Sequence, residues 1–256
     1  MDKPLIRQRF ARAVATYPRQ ATIQQTVAAR MAGLIRRYVP QASCRRTLEV
    51  GCGTGLFTRR LLKAARPEQL WLNDLCPEVA DCFADLPAER VRFLSGDAEH
   101  IRLPEGQGLI ASCSALQWFA RPEAFLQRCT RLLADTGYLA FSTFGRDNLR
   151  ELTALTGQGL PYRTLDQLCR TLAPDFDLLF AHEERFVVRF ATPTDVLRHL
   201  RETGVTGLRR QHWTKADLAD FSERYVRRFG TPTADGPGVP LTYHPLYIIA
   251  KKKQNV

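Results

Sequence analysis

Hydrophobic and polar positions follow a helical rhythm up to residue 46 and a different one from Thr47 onward. Before the change, residues 5–15 and 19–38 read as two helices. The second, with Pro18 near its first turn, carries Ile23, Val27, Met31, Leu34, Ile35 and Tyr38 at helical spacing, and Pro40 ends it. After it, short β-rich runs at 47–50, 70–73, 91–94, 109–112 and 137–143 alternate with amphipathic stretches at 56–66, 77–85 and 121–134. Strands separated by helices predict a parallel, doubly wound sheet of the α/β class. Beyond Phe144 the spacing predicts helices over 147–155, 164–173, 193–203 and 215–229, a long strand within 178–191 and a last strand over 246–250. The Gly/Pro-rich stretch 230–240 reads as a loop. The chain thus divides into an N-terminal helical arm, 1–46, and a seven-stranded domain, 47–256, with helical insertions at about 147–176 and 193–229 that are candidates for a lid.

Composition narrows the class. Hydrophobic residues make up 45% and charged residues 25%, and no apolar run reaches the length of a membrane span. The first residues lack an apolar secretory segment, so a cytoplasmic protein is expected. The seven cysteines include no C-x-x-C pair and the five histidines no H-x-x-x-H spacing, so neither a metal site nor a disulfide framework is expected. The net charge of +11 suggests a nucleic-acid binder until its distribution is considered. Residues 1–46 hold ten Lys/Arg against one acid, Asp2, and Lys251, Lys252 and Lys253 sit at the other end, while the body between is nearly balanced. A basic arm fits an acidic protein partner better than a nucleic acid, and a scaffold that merely retains an enzyme fold is supported by charge alone.

The first chemical signal is the run Leu48-Glu49-Val50-Gly51-Cys52-Gly53-Thr54-Gly55-Leu56, a strand, a glycine turn and a helix start. Glycines let backbone N–H groups approach a ligand closely. A dinucleotide fingerprint would require a glycine where Leu56 stands. The spacing G-x-G-x-G preceded by Glu49 instead resembles motif I of class I S-adenosylmethionine-dependent methyltransferases. Asp74, with Leu75 after it, ends the next strand and can accept both ribose hydroxyls. Ser95-Gly96-Asp97-Ala98-Glu99 resembles the acidic loop of these enzymes, in which the Asp accepts the adenine amine and the following N–H meets the ring. The resemblance implies S-adenosyl-L-methionine as cofactor, held by Glu49, Gly51, Gly53, Gly55, Asp74, Leu75, Asp97, Ala98 and Ser114. It also implies a Rossmann-like fold. Gln107-Gly108 departs from the pattern, which often has an Asp there.

On the substrate side, no N-P-P-Y, D-P-P-Y or Pro-Cys string follows the fourth strand, which argues against adenine N6- and cytosine C5-methylation. Ser114-Ala115-Leu116-Gln117-Trp118, Phe141-Ser142-Thr143-Phe144-Gly145, Asn148-Leu149-Arg150-Glu151-Leu152, His199-Leu200-Arg201-Glu202-Thr203-Gly204-Val205 and Leu241-Thr242-Tyr243-His244-Pro245 together resemble the malonyl-acyl carrier protein O-methyltransferases of biotin synthesis. The opening Phe10-Ala11-Arg12-Ala13-Val14-Ala15-Thr16-Tyr17 is similar to the same family, so the resemblance spans nearly the whole chain. Trans-aconitate methyltransferases share its first half and supply the alternative, a small-molecule carboxylate methyltransferase. The resemblance implies methyl transfer to the free carboxylate of a malonyl thioester on an acyl carrier protein, by a monomer. A carboxylate is ionised at neutral pH, so no general base is needed. Arg146 and Arg201 are the candidates for clamping it, since a guanidinium binds a carboxylate through two parallel hydrogen bonds. Tyr17 and Trp118 are candidates for walls of the transfer chamber, and His199 reads as a packing residue. For carrier docking, Arg19, Arg30, Arg36 and Arg37 are expected to face outward near that chamber.

Overall fold

The computed structural model describes residues 1–17, 21–204, 214–233 and 236–254. Pro18, Arg19, Val205 and the start of the helix expected from residue 19 lie outside these. Strands β1 (Arg46–Val50), β2 (Gln69–Asp74), β3 (Val91–Ser95), β4 (Gln107–Cys113), β5 (Leu133–Phe144), β6 (Phe176–Glu183) and β10 (Pro245–Lys252) form one sheet. Their order is β3-β2-β1-β4-β5-β10-β6, with β10 antiparallel to both neighbours and the first five strands parallel. The expected seven-stranded, doubly wound sheet is thus present. Both faces of β1, β4 and β5 are buried, with apolar residues on either side of β4 and β5, as a sheet covered by helices on two sides requires.

One face is covered by α2 (Thr22–Tyr38) and α3 (Thr58–Ala65), whose Val27, Met31, Ile35 and Leu61 share a core with Leu70, Leu72, Leu109 and Tyr247. The other is covered by α4 (Pro122–Leu132) and α6 (Leu165–Leu172), packed through Phe125, Leu126, Leu168 and Leu172. Helix α2 is therefore a layer of the domain. Of the described N-terminus before it, α1 (Lys3–Ala13) buries only Ala13 fully. Among the described residues no helix is long and apolar enough to cross a membrane.

Three elements differ from the sequence reading. Residues 77–83 form a 3₁₀ turn instead of an α-helix. The run expected as one strand within 178–191 is two, because β6 pairs with β10 whereas β7 (Phe186–Phe190) pairs with β9 (Gly236–Tyr243) in a second sheet. Finally, the stretch read as a loop, 230–240, supplies β8 (Thr231–Thr233) and the start of β9. This sheet, β7-β9-β8, joins α5 (Arg150–Thr156), α7 (Pro193–Glu202) and α8 (Lys215–Phe229) around a third core built on Phe144, Val196, Leu200, Phe221, Tyr225 and Tyr243. Glu151, almost fully buried in it, accepts hydrogen bonds from the Thr242 N–H at 3.0 Å and the Thr242 hydroxyl at 2.5 Å. Helices α5, α7, α8 and the second sheet thus share a core of their own next to the C-terminal end of β5, whereas α6, within the insertion expected at 147–176, belongs to the layer on the main sheet.

Candidate active site

At those strand ends a cavity with about 990 Å³ of space, partly open to solvent, lies between the glycine loop and α1. Its floor follows from the sequence. Gly51 has φ +72° and Gly53 φ +53°, left-handed conformations that favour glycine. The N–H groups of Gly51 and Cys52 both donate to the Asn73 carbonyl, which ties the loop to the end of β2. Asp74 is 8% exposed, and its carboxylate accepts from the Gly53 N–H at 2.8 Å and the Cys76 N–H at 2.9 Å. Desolvation raises its pKa while these backbone donors oppose the shift. A fixed carboxylate with lone pairs to spare, beside a glycine cradle, fits a ribose diol. Leu75, Asp97, Ala98 and Ser114 also line this cavity.

Helix α1 closes it from above. Lys3, Ile6, Arg7 and Phe10 line the cavity, and an added Cβ on Gly53 would lie 3.3 Å from the Phe10 ring. Lys3 is latched by Asp97 at 3.2 Å and Glu99 at 2.7 Å, and Arg7 pairs with Glu78 at 2.9 Å. Asp97, expected from the sequence to accept the adenine amine, is thus paired with Lys3 of α1.

A second cavity, with about 470 Å³ of space, adjoins the first. The two share Phe10, Tyr17, Gln24, Ser114, Trp118 and Gly204, so Tyr17 and Trp118 stand at their junction. Ser114 reaches both from a left-handed conformation, φ +56°, at the tip of β4, and its N–H is held by Ser142. Strain at such a tip requires fixed surroundings, and here the Gln117 amide donates to the Ser114 carbonyl at 2.6 Å. The second cavity is further lined by Gln117, Phe144, Asn148, Tyr162, Thr203 and Tyr243. Burial raises the Tyr17 and Tyr243 phenols above their usual range and pushes Tyr162 up to about 12, so all three remain donors at neutral pH. His199 is buried against the Tyr243 hydroxyl at 2.7 Å, and desolvation lowers its pKa. It packs behind the chamber wall, as its reading as a packing residue anticipates.

Four residues named from the sequence fall elsewhere. Gly55 lies behind the cradle, where an added Cβ would meet the Phe83 ring at 2.8 Å. Glu49 is 1% exposed beneath the loop and lines neither cavity. Arg146 is exposed after Gly145, which packs against His244, and Arg201 is exposed on α7, whose buried face carries Val196, His199 and Leu200. Neither arginine lines either of these two cavities, so the expected guanidinium clamp is not assembled there. The docking arginines are also displaced. Arg36 and Arg37 are exposed at the far end of α2, roughly 18 Å along its axis from Gln24, where the chain turns into β1. Arg30 pairs with Glu184 and lies over the Tyr247 ring at 5.3 Å.

Neither Glu49 oxygen makes a hydrogen bond of good geometry among the described residues, and desolvation pushes its pKa up to about 8, opposed by the nearby Thr58 hydroxyl and reinforced by the Asp74 charge. In the unfolded chain it ionises near its ordinary value, so from there to about pH 8 the folded state holds a proton the unfolded state has released, and stability falls as pH rises through that window. Glu49→Gln, which cannot ionise, should therefore melt about 5 °C or more above wild type at pH 8, and closer to it at pH 5. A mutant-minus-wild-type difference in melting temperature that is flat from pH 5 to 8 would remove the buried proton from the account.

A family model described as a methyltransferase domain matches residues 48–141, which contain the glycine loop, Asp74, Asp97 and Ser114. Over the full length the chain is similar to the malonyl-acyl-carrier protein O-methyltransferase of Bacteroides thetaiotaomicron, at 48% identity across 99% of this chain and 100% of that one. The protein of the same name from Haemophilus influenzae is 41% identical across 98% of this chain and 95% of its own length. Among solved structures, the YcgJ protein from Bacillus subtilis superposes with a TM-score of 0.61 at 13% identity, covering 88% of this chain and 99% of that one. A putative methyltransferase from Bacillus halodurans gives 0.59 at 15%, covering 81% and 92%. At these identities the two structures show the shared fold.

Proposed function

Because this chain belongs to the malonyl-acyl-carrier protein O-methyltransferases, we propose that its two adjoining cavities divide the work of methylating the free carboxylate of a malonyl thioester carried by an acyl carrier protein. The observation that carries this reading is the junction, where Tyr17, Ser114 and Trp118 wall both cavities at once. S-adenosylmethionine supplies an electrophilic methyl group on a sulfonium when bound. The glycine cradle, Asp74, Asp97 and the N–H after Asp97 would hold it, with Ser114 bordering both cavities. The acceptor carboxylate is already ionised at neutral pH, so the chain's contribution is placement. Phe10, Trp118 and Phe144 exclude water from the chamber, and its phenols, protonated at neutral pH, carry no charge that would oppose the carboxylate.

For the carrier, we take α1 as the relevant part of the basic N-terminus, since Lys3 and Arg7 border the cofactor cavity and Arg12 is exposed beside them. Its charge steers an acidic partner chiefly through the association rate. A cytoplasmic monomer is the state this reading assumes.

Methyl transfer measured side by side on malonyl-carrier protein, malonyl-coenzyme A and trans-aconitate tests the proposal. The expected order places the carrier-bound substrate first and aconitate at background. Methylation of aconitate with kcat/KM equal to or above that of the malonyl thioesters would give the site to a small free acid.

A further inference from the structure

The second cavity presents a problem of recognition: it must hold an anion, yet among the described residues no Lys or Arg lines it. Tyr17, Ser114 and Gln24 lie at its junction with the first cavity, so the neutral polar side chains that line the second cavity alone are Gln117, Asn148, Tyr162, Thr203 and Tyr243. Gln117 is used at both ends, donating to the Ser114 carbonyl and accepting from the Thr143 hydroxyl at 3.3 Å. The Thr203 hydroxyl donates back to the His199 carbonyl at 2.9 Å, and the Tyr243 hydroxyl is shared with the His199 ring. Tyr162 differs. Its oxygen accepts the Asn148 Nδ2–H at 2.8 Å, and the direction of that bond is fixed from behind. The Asn148 Oδ1 accepts the His244 backbone N–H at 3.3 Å, so the amide nitrogen must face Tyr162. A phenol oxygen that accepts in this way keeps its own proton for another acceptor. Asn148 is 3% exposed, so the pair is largely shielded from bulk solvent.

We propose that Tyr162 donates the hydrogen bond that recognises the substrate's free carboxylate, with Asn148 as the positioning residue that keeps its O–H unspent. The inference rests on the malonyl reading above and deepens it: a neutral donor holds one carboxylate oxygen and leaves the other to attack. It also gives a basis for selectivity, since an acetyl thioester offers no anion for Tyr162 to bind.

The test uses the full chain, with steady-state kinetics on malonyl-carrier protein, calorimetric binding of S-adenosylhomocysteine, and inhibition by acetyl-carrier protein, which lacks the carboxylate. Tyr162→Phe should lower kcat/KM about ten- to a hundred-fold, the range for losing one bond to a charged acceptor, with the other two readouts within about two-fold of wild type. Asn148→Leu removes the donor that fixes Tyr162 without placing a negative charge beside the substrate carboxylate. It should lose activity comparably, and add little to Tyr162→Phe in the double variant. Wild-type kcat/KM in Tyr162→Phe, equal weakening of acetyl-carrier inhibition, or additive losses in the double variant would each overturn the assignment. A wild-type enzyme inactive on malonyl-carrier protein would overturn the parent reading and this one with it, whereas an active wild type with an indifferent Tyr162→Phe overturns this one alone.

Discussion

Asp74→Ala should weaken S-adenosylmethionine binding by about 3 kcal/mol, roughly a hundred-fold, while the protein stays folded. Losing hydrogen bonds to a charged acceptor accounts for about 1.5 to 3 kcal/mol by itself. The position of Asp74 puts the expectation at the upper end, because the same carboxylate accepts the Gly53 and Cys76 N–H groups at 2.8 and 2.9 Å. Alanine removes the ribose acceptor and at the same time leaves two backbone donors unpaired, one of them in the cradle itself. Asn is not a neutral replacement, since its amide nitrogen would face one of those donors. Calorimetric titration with S-adenosylhomocysteine, read beside a thermal melt, separates the two effects. Unchanged affinity in a normally melting variant would take Asp74 out of the ribose role.

The cofactor half of the site was legible because its chemistry sits at strand ends, and strands alternating with helices can be recognised from periodicity. Gly51, Asp74, Asp97 and Ser114 follow four successive parallel strands, so locating the strands brings these residues together. The second sheet was harder. Its strands β7 and β9 pair across about fifty residues of chain, and Pro232, Pro237 and Pro240 make the hairpin side of that sheet look like a loop. Two misplacements could have been corrected by helical arithmetic. Val196, His199, Leu200 and Thr203 define the buried stripe of α7, and Arg201 lies off it. Likewise, a 17-residue helix is roughly 25 Å long, so arginines at its end cannot border a chamber at its start. Tyr162 left no such signal. It lies in an irregular stretch between α5 and α6, and its partner Asn148 is met only through the fold.

Gly51→Ala should abolish measurable cofactor binding and methyl transfer, an expected loss of more than about a hundred-fold, and Gly106→Ala provides the matched control. Both glycines have nearly the same backbone conformation, φ +72° and +69°. Either substitution therefore carries the cost of a left-handed L-residue, about 1 to 2 kcal/mol. Their surroundings differ. An added Cβ at 106 meets nothing within 4 Å, whereas at 51 it would lie 2.3 Å from the Ala115 Cβ. Ala115 follows the strained Ser114 and opens the turn that carries Trp118, so relieving the contact must shift the cradle, the turn, or both. The first movement disturbs the bonds from Gly51 and Cys52 to Asn73, and the second displaces residues at the junction of the cavities. Gly106→Ala should lower the melting temperature by about 2 to 8 °C and keep its kinetics. If Gly51→Ala binds cofactor and turns over as Gly106→Ala does, the close approach of the glycine loop to the Ser114 turn is not what builds the site.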